Sequence, residues 1–150
     1  MNPAACLISS WADLPAHNVL GVEVAILTGG AETQGAMASY HARCVPGAGA
    51  PPHLHRDADE AFFVLEGEFE ILCGEETRKA VPGDHVFIPR GVVHAFKGVS
   101  EQPARLLGMC TPAGHENFFR DAADLAASGE MNPDSITALC ERHHIELIHG

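Results

Sequence analysis

Between residues 19 and 112 the chain alternates short apolar-rich runs with turn residues. Val22, Val24 and Ile26 are interleaved with Glu23, Ala25 and Leu27. A second run, 37–45, stops at Pro46-Gly47. The run 60–66 (EAFFVLE) is rich in aromatic and β-branched side chains and stops at Gly67. Glu68, Phe69, Glu70 and Ile71 follow with a period of two, which predicts a strand with one wet and one buried face. Runs at 77–81, 85–88, 92–96 and 104–110 complete the set, punctuated by Gly74-Glu75 and Pro82-Gly83. Many short strands at this spacing predict an all-β sandwich or barrel over residues 19–112.

Beyond residue 112 the period changes. In the segment 115–127, Phe118, Phe119, Ala122 and Leu125 or Ala126 share one helical face, and Ser128-Gly129 closes it. Asn132 then stands as an N-cap before Pro133. A second helix over 133–145 carries Ile136, Leu139, Cys140 and His143 on one side. Two C-terminal helices are therefore expected, either outside the barrel or across one end of it.

The length of 150 residues suits one domain with a sizeable core. Acidic residues outnumber basic ones 20 to 9. That balance argues against nucleic acid and anionic membranes as partners. Residues 1–10 show neither a basic region nor an apolar run of signal-peptide length, and no stretch approaches a membrane span. The five cysteines (Cys6, Cys44, Cys73, Cys110, Cys140) are odd in number and widely spaced. A reduced cytoplasmic chain fits this usage better than a disulfide scaffold.

The candidate chemistry lies in His53, His55, Glu60 and His94. In a strand, residues two apart share a face, so His53 and His55 project together. The polar turn 56–59 lets Glu60 open the next strand beside them. His94 is flanked by Val92 and Phe96, which would give it apolar walls. Three imidazoles and one carboxylate suit iron, nickel, manganese, cobalt, copper or zinc better than calcium. They would close a tetrahedral site or leave open positions on an octahedral ion. With ten histidines in the chain, however, an H-x-H pair is not rare. The residues alone leave a chance surface pair open.

The segment 47–67, GAGAPPHLHRDADEAFFVLEG, resembles the first cupin motif, G-x5-H-x-H-x4-E-x6-G, with Gly47, His53, His55, Glu60 and Gly67 in place. The segment 83–98, GDHVFIPRGVVHAFKG, resembles the second, G-x5-P-x-G-x2-H-x3-N. Gly83, Pro89, Gly91 and His94 match, and Gly98 replaces the final asparagine, which is not a ligand position. The wider run is similar to small bacterial single-domain cupins likened to quercetin 2,3-dioxygenase. The resemblance implies a double-stranded β-helix (jelly-roll) barrel binding one divalent transition metal through His53, His55, Glu60 and His94. It also implies a metal-dependent dioxygenase acting on a small phenolic or enolic substrate, with Glu60 as general base. A non-oxidative cupin (isomerase, lyase, decarboxylase or cyclase) and a non-catalytic small-molecule binder are the alternatives.

Alternation turns Phe62, Val64, Phe69, Ile71 and Phe96 inward and makes Met109 and His41 further pocket candidates. Each would serve equally well as simple core. His115 stands at a helix start near the barrel mouth; Tyr40 and Trp11 read as packing residues. Exposed edge strands need cover, and single-domain cupins commonly pair, so a homodimer is expected.

Overall fold

The computed structural model describes residues 5–149; residues 1–4, part of the N-terminal stretch read above, and residue 150 lie outside it. Among the described residues the strands are β1 (Ala16–Val19), β2 (Val22–Thr28), β3 (Ala38–Cys44), β4 (Gly49–His55), β5 (Asp59–Glu66), β6 (Phe69–Cys73), β7 (Glu76–Ala80), β8 (His85–Ile88), β9 (His94–Gly98), β10 (Ala104–Thr111) and β11 (Ile145–Leu147). The helices are a single turn α1 (Gly30–Thr33), then α2 (His115–Ser128) and α3 (Pro133–Arg142).

The strands form two antiparallel sheets. One has the order β1-β2-β3-β10-β5-β8, the other β11-β4-β9-β6-β7. Strands distant in sequence are neighbours in both, as in a double-sheet jelly roll. The sheets bury one face each against the other. Phe62 and Val64 of β5, Phe69 and Ile71 of β6 and Leu106 of β10 fill the space between them. Each large apolar side chain removed from water there stabilises the fold by about 1.5–3 kcal/mol. The period-two reading of 68–73 is what the structure shows: Phe69 and Ile71 are buried and Glu70 is exposed.

Parity decides two residues differently from expectation. Tyr40, Ala42 and Cys44 of β3 belong to the core, so His41 between them lies on the outer face of the six-stranded sheet. There Trp11 stacks on its ring at 4.1 Å and Arg105 Nε donates to its Nε2 at 2.9 Å. Met109 of β10 pairs with Ser39 on the same outer face and is 40% exposed. Neither points into the barrel. In β10 both parities carry apolar side chains, which hid the outward side of Met109, whereas β3 alternates Ser39, His41 and Arg43 with apolar residues and marks His41 as outward.

The C-terminus differs as well. The helix expected over 133–145 ends at Arg142. His144 adopts a left-handed backbone (φ 59°), and the chain turns into β11, where Ile145 pairs with His55. Its start is as expected: the Asn132 side chain accepts from Ser135 N at 3.0 Å, behind Pro133. The residues on the inner side of α2 and α3 cover one end of the sandwich and border an internal cavity.

Sheet β4-β9 depends on a glycine. A Cβ on Gly49 would sit 1.8 Å from the Phe96 carbonyl oxygen, against backbone that has no freedom to move aside. We expect Gly49→Ala to destabilise by about 1–3 kcal/mol, the usual scale of overpacking, seen as a drop of several degrees in Tm by calorimetry. An unchanged Tm would mean that β4 and β9 are not this close.

Candidate metal centre

The two histidines of β4, Glu60 at the start of β5 and His94 at the start of β9 meet between the sheets. His53 pairs directly with His94 in the β4-β9 ladder. Both sheets contribute, because β5 belongs to the other one. One ligand atom from each of the four side chains lies within 4.8 Å of the rest. All four residues are buried, from 8% exposed at His53 to 1% at His94. Gly91 N donates to the His55 carbonyl at 2.8 Å, tying the loop before β9 to the end of β4.

Backbone carbonyls orient the imidazoles. His53 Nδ1 lies 2.7 Å from the Pro51 oxygen and His94 Nδ1 lies 3.0 Å from the Val92 oxygen. With the proton on Nδ1, each ring turns a bare Nε2 inward, the arrangement that metal-binding histidines use. Glu60 Oε1 faces them, 3.1 Å from His94 Nε2 and 3.7 Å from His55 Nε2. His55 Nε2 is buried without a hydrogen-bond partner among the described residues. A buried nitrogen left bare costs free energy, and a cation among these four donors would satisfy it. The residues therefore fit a divalent transition metal in ligand type, number and orientation.

The electrostatics are those of a site waiting for positive charge. Burial, and then the nearby His94 and His55, push His53 down to about 4. Burial also lowers His55, with Glu60 opposing. For Glu60, burial raises the carboxyl, whereas His94, His115 and His55 lower it when they carry protons on the nitrogens that face it; with those nitrogens bare, a bound cation would supply that charge.

Glu60 has a second side. Its Oε2 accepts from Tyr40 Oη at 3.0 Å and from Cys110 Sγ at 3.2 Å. Burial first, and then the Glu60 charge, raise Tyr40 well above the usual phenol value, so it remains a donor. His115, the first residue of α2, brings Nε2 to 3.8 Å from the same oxygen and its ring to 4.4 Å from His55.

A cavity of about 190 Å³ opens beside these groups. Tyr40, His53, Glu60 and His115 supply its polar wall; Val22, Val24, Phe96, Phe118, Phe119, Met131, Ile136 and Leu139 are among its apolar lining, and no lysine or arginine borders it. Of the expected pocket residues, Phe96 lines the cavity. Phe62, Phe69 and Ile71 are buried in the core and do not border it, and His41 and Met109 are outside. Of the two placements expected for the C-terminal helices the structure shows the cover over one end, whereas the role of Tyr40, expected to be a packing residue, was not visible in the sequence. His115 had only its position after the last strand to mark it.

A pH dependence follows for metal-free protein. His53 is neutral in the fold down to about 4, whereas an unfolded histidine takes its proton near 6.5. Between those values the unfolded chain binds more protons, so stability present above 6.5 is lost as pH falls towards 4. We expect the Tm of chelator-treated protein to fall steadily over this window, and added zinc at neutral pH to raise it. A Tm indifferent to both would contradict a buried neutral imidazole cluster.

Comparison with known proteins agrees with this geometry. Residues 40–110 match the family model described as Cupin domain. The dimethylsulfoniopropionate lyase DddQ of Ruegeria pomeroyi is 41% identical over 70 residues, 46% of this chain and 34% of that protein. The quercetin 2,3-dioxygenase of Bacillus subtilis is 34% identical over 47 residues, 31% of this chain and 14% of that one. The chain spans half or less of the length of these curated relatives. Among solved structures, KdgF from Halomonas sp. superposes with a TM-score of 0.64 at 20% identity, covering 71% of this chain and 94% of the other, and so shares the fold. Two sheets in jelly-roll order, the matched domain and the clustered motif residues lead to one conclusion: the chain carries a cupin domain over residues 40–110.

Proposed function

We propose that this chain is a metal-dependent enzyme, a dioxygenase acting on a small phenolic or enolic substrate. The observation that carries this reading is that two of the four clustered donors, His53 and Glu60, stand in the wall of a partly open, mainly apolar cavity. A bound divalent metal would supply a Lewis acid for a substrate oxygen anion and a site for dioxygen. The chain's own residues would do the rest. Phe96, Phe118, Phe119 and Ile136 exclude water and hold an apolar ring or chain. Glu60 Oε2, on the side away from His94 and His55, is the atom that would take a substrate proton, with His115 Nε2 3.8 Å from it.

Size and charge narrow the substrate. The cavity is smaller than the roughly 300 Å³ at which drug-sized ligands are accommodated. A single ring or a short enol suits it better than a flavonol. With no lysine or arginine in the wall among the described residues, a phosphate or a second carboxylate would be buried without a permanent positive partner.

A second reading is a non-oxidative elimination, isomerisation or cyclisation. It is favoured by the likeness to a protein named a lyase and by two polar groups, Tyr40 and His115, beside the carboxylate. A binder without turnover is the third reading. For location we propose the cytoplasm, on the cysteine usage. We expect protein loaded in turn with iron, nickel, manganese, cobalt, copper and zinc to consume oxygen with at least one member of a panel of monocyclic phenols and short enols. Conversion without oxygen uptake would replace the first reading by the second, and binding without conversion by the third.

We also propose a homodimer through the outer face of the six-stranded sheet. Phe87, Phe63 and Met109 are exposed there by 56%, 41% and 40%, and β8 is an open edge. A second copy laid on this face would cover both. Light scattering should give twice the chain mass, and Phe87→Glu should halve it; a monomeric parent would contradict the proposal.

A further inference from the structure

β10 carries a glycine where its inward neighbours are leucine and cysteine. Gly108 lies in mid-strand, paired with Tyr40 of β3 on one side and Phe62 of β5 on the other. Glycine weakens a strand interior and commonly marks a close approach by another group. Here the group is the Tyr40 ring. A Cβ on Gly108 would lie 2.1 Å from Tyr40 Cζ, and closer than 3 Å to Cε2 and Oη. The ring therefore lies flat across β10 at the one position with no side chain. From above, Phe119 of α2 packs edge-on against it, with centroids 4.7 Å apart.

That path takes the hydroxyl from β3 over β10 to β5, where it meets Glu60 Oε2 at 3.0 Å. Cys110, two residues beyond Gly108, places its thiol on the same oxygen at 3.2 Å. The other oxygen, Oε1, is left facing His94 and His55. The two ends of one carboxylate are thus assigned to different partners.

We propose that Tyr40 is a positioning residue that holds Glu60 as a one-oxygen donor to the metal, and that Gly108 is the strand position that admits it. The inference rests on the metal site and not on which reaction the site runs. Without the phenol, Oε2 loses its oxygen donor in a buried setting, and the carboxylate gains by turning both oxygens to the cation. That would occupy a position otherwise open to substrate. Cys110 alone, a weak donor, would not hold it.

The test uses cobalt(II) as the probe in the full chain, read by calorimetric affinity and by the visible d–d spectrum. Tyr40→Phe keeps the ring and removes the hydroxyl. It should still take one cobalt, with altered d–d bands and an affinity about 10–100-fold lower, the usual scale for removing an outer hydrogen bond to a metal ligand. Gly108→Ala should shift the bands in the same direction, by displacing the ring. In the Tyr40→Phe background, Gly108→Ala should leave the bands and the affinity where Tyr40→Phe put them, although it lowers Tm in both backgrounds. Wild-type bands and affinity in Tyr40→Phe would overturn the proposal, and so would a full additional spectral shift in the double variant. If Gly108→Ala does not fold, Tyr40→Phe alone decides. A parent chain that binds no cobalt would instead sink the metal site itself.

Discussion

Glu60 is an ionised carboxylate at 3% exposure, and much of the barrel is arranged around keeping it there. Taking such a charge out of water costs several kcal/mol unless partners compensate. Oε2 has the Tyr40 hydroxyl and the Cys110 thiol, while Oε1 lies 3.1 Å from His94 Nε2 and 3.7 Å from His55 Nε2, where a bound cation would compensate it. These partners come from four strands in two sheets, so the site exists only when the jelly roll has closed. The same closure points the bare nitrogens of the imidazoles at one another. Convergent lone pairs in a low-dielectric interior are stable when a cation sits among them, and the bare His55 nitrogen shows the missing contact.

The surroundings then set what the cation would meet. β4 brings His53 and His55 to the inner face through a stretch containing Pro51 and Pro52, and the Pro51 carbonyl orients His53. α2 begins at His115 and sends Phe118 and Phe119 over the same space, and α3 adds Ile136 and Leu139. The helices turn an open sandwich end into a small apolar chamber with polar groups at one wall. Under the proposed function, that wall would favour an apolar substrate with one anionic oxygen, because no lysine or arginine among the described residues borders it.

How much of this could be read in the residues follows from the length scale of each signal. Strands β5 and β6 were legible because their alternation is local, and the clustering of the four candidate ligands because the resemblance to the two glycine- and proline-punctuated motifs placed them together. The outward side of β3 was legible but passed over: Ser39, His41 and Arg43 alternate with the core residues Tyr40, Ala42 and Cys44, and His41 packs on Trp11 and Arg105. Met109 misled because β10 carries apolar side chains, Leu107 and Met109, on its outer parity as well. β11 escaped because three residues after a helix carry no period; its pairing with β4 is purely tertiary. Tyr40 could be recognised only once Gly108 was known to lie opposite it.

The central claim is that one cation sits among His53, His55, Glu60 and His94, and anomalous diffraction tests it most directly. Crystals of the chain loaded with zinc, with data collected on either side of the zinc edge, should show a single strong peak per chain. It should lie at bonding distance, about 2.0–2.2 Å, from three imidazole nitrogens and from one oxygen of Glu60. A peak elsewhere on the surface, or none within reach of these four side chains, would contradict the account.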